Sequence, residues 1–222
     1  MRRIFWLGFL PLLLGIALNA QQPAATGANS SNSGQGGFIA GSNTQGATMN
    51  GVPLLPGTAV LPGEHVTTAS GGTATLVSTG QNGGVVQLGQ QTATTVVNNS
   101  SGPQVNLTQG AVQAQGTVPV QTCTSVVMPQ NNQTIVTVVA NGCQNSNVQQ
   151  VAGNSTVKSL GSSQQTDNNS SSSSQASLHS GQSVQIAGNQ IQYVAPNSIS
   201  FPQPSTSTTG GTSGSGTTSQ SH

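Results

Sequence analysis

The stretch Thr73-Ala74-Thr75-Leu76-Val77-Ser78, Gly80-Gln81-Asn82-Gly83-Gly84, Val85-Val86-Gln87-Leu88 decides the fold class. Two short runs rich in β-branched and apolar residues flank a Gly/Asn cluster. Asn-Gly tolerates positive φ in a tight turn, so the stretch reads as two antiparallel strands joined by a hairpin. Nothing in it has the spacing of an amphipathic helix.

The same grammar continues downstream. Further strands are expected at Thr92 to Val97, Gln104 to Leu107, Ala111 to Ala114, Ser125 to Met128, Thr134 to Ala140 and Val148 to Val151. Turn residues separate each pair, including Asn141-Gly142. Short strands at intervals of about 8–12 residues predict an all-β protein, with antiparallel strands in a small sandwich, barrel or short solenoid. The β-rich domain is placed at 50–160. A last hairpin is expected within 181–195, with Ala187-Gly188-Asn189-Gln190 between Ser183–Ile186 and Ile191–Val194. Its pattern Gln185-Ile186-Ala187-Gly188-Asn189 matches Gln150-Val151-Ala152-Gly153-Asn154, which suggests one turn used twice.

Gly, Ser, Asn and Gln dominate the remaining segments. These read as a flexible leader over 21–49, a Ser-rich linker over 161–180 around Asn168–Ser174, and a disordered tail over 196–222.

Only 2% of the 222 residues are charged, against about 25% in an ordinary globular chain. The charged set is Arg2, Arg3, Glu64, Lys158 and Asp167. Such a surface has no electrostatic grip on phosphates, which argues against nucleic acid as a partner. It also offers no polybasic attraction to anionic lipid. Aromatics are 3% of the chain, so the core must come from Val, Ile, Leu, Ala and Thr methyls.

The N-terminus has the form of a secretory signal peptide over 1–20. Arg2-Arg3 precede an apolar run from Ile4 to about Leu18, and cleavage is expected between Ala20 and Gln21. The alternative is an uncleaved anchor, but the run is interrupted by Pro11 and falls short of the roughly 20 apolar residues a span needs. Removing Arg2 and Arg3 takes the formal charge from +1 to −1. No membrane span is expected after cleavage, and the location is periplasmic or extracellular.

In an exported chain, Cys123 and Cys143 suggest one disulfide. Strands joined through Pro129-Gln130-Asn131-Asn132 are expected to bring them together. The spacing is not Cys-x-x-Cys, and His65, His179 and His222 lack metal-ligand spacing to the pair. No cofactor or metal is expected.

Glu64-His65 is the one adjacent acid and imidazole. It follows Leu61-Pro62-Gly63, where a polar turn is expected in any case, and no third group stands nearby in sequence. His179 and Asp167 fall in or beside the Ser-rich linker, and no Ser, His and acid are arranged as a hydrolase triad. The chain therefore reads as non-enzymatic. Outward-facing Thr, Gln and Asn either form a hydrogen-bonding face for polysaccharide or are the solvent side of a plain sheet.

The segments Asn50–Thr58 and Leu61-Pro62-Gly63-Glu64-His65-Val66-Thr67-Thr68 resemble the opening of a FecR-like domain. That family's pattern is a short strand, a Gly turn, and Gly-Asp-x-Val/Ile-x-Thr leading into a strand; here Glu64 stands in place of Asp. Thr73–Ser78 and Val85–Leu88 correspond to its next two strands. Leu107, Gly110 and Val112 fit its later Leu-x-x-Gly-x-Val strand. The resemblance covers about 50–120 and implies a compact β-domain of periplasmic or extracellular bacterial proteins. Founding members relay a transport signal through a membrane helix to a sigma factor. This chain is not expected to carry the cytoplasmic domain or helix that role requires. The expected function is an exported β-module with a binding or structural role, its partner an envelope protein or polysaccharide. The alternative is a periplasmic sensor or regulator component working with a separate membrane partner.

Overall fold

The computed structural model describes residues 36–80, 83–161 and 174–196. The signal segment with Ala20 and Gln21, most of the leader, the core of the Ser-rich linker and 197–222 lie outside the described residues.

The fold is all-β, with no helix among the described residues. Its strands, in chain order, are β1 (Phe38–Ala40), β2 (Gln45–Met49), β3 (Val52–Pro53), β4 (Ala59–Val60), β5 (His65–Ser78), β6 (Gly84–Leu88), β7 (Ala93–Asn99) and β8 (Gly102–Gly116). They continue as β9 (Val120–Gln121), β10 (Ser125–Pro129), β11 (Ile135–Asn141), β12 (Asn145–Ala152), β13 (Asn154–Ser159), β14 (Gln175–His179), β15 (Ser183–Ala187) and β16 (Gln190–Val194).

The strands sort into two sheets that share one core. Sheet I runs β4-β1-β5-β6-β8-β11-β12-β15-β16. Sheet II runs β3-β2-β5-β7-β8-β9-β10-β13-β14. The long strands β5 and β8 belong to both. Because β6 and β7 each bridge β5 and β8, the four close into a small barrel from which the remaining strands extend. Pairing is antiparallel except between β8 and β9.

Glycine makes the double membership possible. β8 leaves sheet II after Gln109 and enters sheet I at Gly110, whose φ is 91°. A Cβ there would sit 2.6 Å from the Thr92 Cα. β5 bends at Gly71-Gly72, with Gly71 at φ 72° and Gly72 against the Gly46 carbonyl. A glycine inside a strand marks such bends and close backbone approaches.

Alternate residues of both sheets point inward. Phe38, Leu76, Val86, Val112, Val138, Val148 and Ile186 of sheet I meet Val66, Val96, Val105, Val127, Val157 and Leu178 of sheet II in one buried cluster. Val supplies most of it, as the shortage of aromatics requires.

Four expectations are corrected. Within the expected leader, residues 38–49 contain β1 and β2, because Phe38, Ala40 and Ala47 alternate into the core despite their polar neighbours. Within the expected linker, Gln175–His179 forms β14, anchored by Leu178 at 0% exposure. The strands either side of Pro129-Asn132 do not form a hairpin: β10 pairs with β9 and β13 in sheet II, and β11 with β8 and β12 in sheet I. The two Ala-Gly-Asn turns also differ. Gly188 joins the paired strands β15 and β16, whereas Gly153 carries the chain from sheet I to sheet II.

Candidate functional site

The outward residues of sheet II form a row that crosses strand after strand. Cross-strand register places His65 beside Thr95, Thr95 beside Asn106, and Asn106 beside Gln121. The row continues through Val126 and Lys158 to Gln175. Each member points outward because its strand neighbours, Val66, Val96, Val105, Val120, Val127 and Val157, point into the core. Neighbouring strands lie about 4.8 Å apart, which sets the spacing of the groups.

Part of this face is held by side-chain hydrogen bonds. His65 Nδ1 and Thr95 Oγ1 are hydrogen-bonded at 2.8 Å. Gln104 Nε2 donates to Asn106 Oδ1 at 2.9 Å and to Gln121 Oε1 at 2.8 Å, while Asn99 Nδ2 donates to Gln104 Oε1 at 2.7 Å. Thr48 and Thr67 share a hydroxyl bond of 2.8 Å. The face is thus a pre-ordered array of neutral donors and acceptors, with Lys158 as its one charge among the described residues.

Sheet I carries a matching row: Thr75, Gln87, Gln113, Thr137, Gln149 and Ser183. Gln113 Nε2 donates to Thr137 Oγ1 at 3.3 Å. At its end, Gln149 Nε2 donates to the Pro196 carbonyl at 2.6 Å, so the chain after β16 crosses back over the outer face toward β12. Ser183, only 1% exposed, lies at that end of the row.

Cys123 and Cys143 are joined, with Cα atoms 4.9 Å apart. Cys123 sits in the turn between β9 and β10 of sheet II, and Cys143 in the loop between β11 and β12 of sheet I, so the bond ties the two layers. Beside it lies a buried hydroxyl cluster. Ser146 of β12 is hydrogen-bonded to Thr124 and to Ser125, each at 2.8 Å, and Ser125 to Thr122 at 3.0 Å. Every hydroxyl in the cluster has a partner, as burial demands.

Glu64 and His65 part company. The Glu64 carboxylate accepts the Leu61 N–H and closes the Pro62-Gly63 turn. The His65 ring instead joins the sheet II row. His179 Nδ1 meets Asn154 Oδ1 at 2.9 Å on the neighbouring strand. Among the described residues, no three His, Cys, Asp or Glu side chains gather where a metal ion could be held. Asp167 and His222 lie outside the described residues.

Where apolar and polar residues alternate, the sequence identifies the outward ones, as at Asn106, Gln113 and Thr137; it does not at Thr95 or Val126, each of which has a neighbour of its own kind. It does not identify neighbours. The parallel β8–β9 contact, which places Gln121 beside Asn106, has no local sequence signal.

No family model matches the chain, and no curated protein matches it. A crystal structure of a candidate anti-sigma factor from Parabacteroides distasonis is similar at 14% identity and a TM-score of 0.43. The match covers 59% of this chain and 57% of that one, so the chain spans little more than half the neighbour's length. The FecR-like resemblance therefore stands on its own residues. In the structure, the motif's Gly63 has φ 95°, in the turn before β5, a conformation that favours glycine.

Proposed function

We propose that this chain is an exported, non-enzymatic β-module that acts by contact, through the neutral hydroxyl and amide face of sheet II. The observation that carries the reading is the row His65, Thr95, Asn106, Gln121, continuous across four strands, with His65 bonded to Thr95 and both Asn106 and Gln121 held by Gln104. Groups held in place lose little freedom when a ligand arrives. Each neutral hydrogen bond exchanged with water contributes only about 1 kcal/mol, so useful affinity needs many contacts in register. An extended, uncharged polymer with hydroxyl groups meets that condition, and an envelope or matrix polysaccharide is the fitting class. The disulfide supports an oxidising compartment. Among the described residues no helix is long and apolar enough to cross a membrane.

The test is retention on insoluble neutral polysaccharides. The chain is expected to be retained, and retention is expected to be insensitive to salt because charge plays no part. Replacing Asn106 and Gln121 by Ala should abolish it without loss of fold. Absence of retention on any neutral polymer would remove the glycan reading and leave a structural role. A regulatory role of FecR type rests on the Gly63–Thr68 motif, and capture of a membrane-bound regulator by the native chain would establish it.

A further inference from the structure

We propose that β16 is a self-association edge: two copies of the chain pair antiparallel through Gln190–Val194, about a two-fold axis at Gln192. The proposal is independent of the polysaccharide reading, because it concerns a different sheet and a different surface.

Among the described residues β16 pairs only with β15. The two-residue loop Gly188-Asn189 is closed by the pair Ala187–Gln190. The closing pair of such a loop is hydrogen-bonded, and bonded and non-bonded pairs then alternate. Gln190, Gln192 and Val194 therefore turn their backbone groups to β15, and Ile191 and Tyr193 turn theirs to the open edge. The far side of β15 agrees. Gln150 exchanges bonds with Gly181 and Gln182, which sets Val184 and Ile186 to face β12 rather than β16.

The other outer strands are less available. β3 and β4 have two residues each, and β3 includes Pro53, which has no N–H to offer. On β14 the His179 N–H is already donated to Gln182 Oε1 at 2.8 Å. β16 has five residues, no Pro and no charge. The chain's own continuation does not run along this edge at Pro196, whose carbonyl is held by Gln149 on the outer face of β12.

The strand is complementary to itself. Pairing about Gln192 sets Ile191 opposite Tyr193 of the second copy and Tyr193 opposite its Ile191. These are the residues whose N–H and C=O groups face outward. The same two side chains lie on the core side, opposite the buried Ile186 and Val184, yet Tyr193 is 62% exposed. Pairing would cover it and continue the apolar face across the axis. Only Gln192 meets its own copy, so a charge at that position would repel itself; the strand carries none.

The axis gives a sharp test. It places Gln192 opposite itself in a non-hydrogen-bonded pair, with Cα atoms about 4.5 Å apart, within disulfide reach. Both native cysteines are already bonded to each other. In the purified chain, Gln192→Cys is expected to form a covalent dimer under mild oxidation, and Gln190→Cys is not. Sedimentation should show the unmodified chain dimeric at micromolar concentration and dissociating on dilution. Tyr193→Lys should convert it to monomer with its far-UV spectrum unchanged. A chain that stays monomeric at high concentration and gives no Gln192→Cys cross-link would overturn the proposal. Equal cross-linking by Gln190→Cys, or a dimer that survives Tyr193→Lys, would overturn it as well.

Discussion

The hydroxyls of Thr124 and Ser146 meet at 2.8 Å across the interior between the two sheets. Thr124 enters from the β9–β10 turn of sheet II and Ser146 from β12 of sheet I, three residues past Cys143. Ser146 is fully buried and also bonds Ser125, so its removal costs Thr124 and Ser125 one hydrogen bond each and leaves both with Thr122 alone among the cluster's hydroxyls. Ser146→Ala is expected to cost about 1–3 kcal/mol in urea unfolding. Adding Thr124→Val should recover part of that loss, since it removes one of the buried hydroxyls that lost a bond, and a double-mutant cycle would read the coupling.

Reduction of the Cys123–Cys143 bond should lower stability by about 3 kcal/mol, the loop-closure value for a sequence separation of 20. Both cysteines are exposed, so a small thiol reductant can reach them in the folded state. Guanidinium unfolding with and without reductant measures the difference. A shift under about 1 kcal/mol would mean that the shared core and the hydroxyl cluster hold the layers in register without the bond.

Gly110→Ala and Gly51→Ala separate two costs that glycine avoids. Both positions have positive φ, at 91° and 83°. At Gly51 an added Cβ meets nothing within 4 Å, so Ala should cost about 1 kcal/mol of backbone strain alone. At Gly110 the Cβ would also press on the Thr92 backbone, and the cost should exceed about 3 kcal/mol. Equal losses by thermal unfolding would show that β8 can relax its bend.

Gln150 is fully buried and holds the β12–β13 corner. Its Nε2 donates to the Ala152 carbonyl at 2.6 Å, and its Oε1 accepts from Ser155. Gln150→Ala is expected to cost about 2–4 kcal/mol, from a cavity and the stranded Ser155 hydroxyl together. Hydrogen exchange should show the loss concentrated in β12 and β13.

The sequence makes individual strands legible wherever Val, Leu or Ile alternates with polar residues, as at Leu76, Val86 and Val138. It is weaker where a strand has one apolar anchor, as Leu178 is for β14, or where the anchors sit among Gly, Ser, Asn and Gln, as Phe38 and Ala40 of β1 and Ala47 of β2 do. Strand length is also obscured at bends. Gln104–Leu107 and Ala111–Ala114 read as two strands because Gly110 looks like a turn, yet both belong to β8. Partnership is the least legible property, because period-two alternation says which way a side chain points and not which strand lies alongside. That is why the polar row of sheet II, and the separation of β10 from β11, appear only in the assembled sheets. The disulfide partners were readable from there being two cysteines, but the layers they join were not.

After β8, the chain visits the layers in turn: β9 and β10 in sheet II, β11 and β12 in sheet I, β13 and β14 in sheet II, β15 and β16 in sheet I. The first pair in each layer docks on β8, and the second docks on the first, β13 on β10 and β15 on β12. Such a construction can lengthen at its far end by docking one new pair on β14 and one on β16, the second of which would take the place of the self-association edge. Gene variants that gain or lose a four-strand increment there, one pair per layer, would keep both faces flush. The module's length is then a quantity that evolution can tune independently of its barrel.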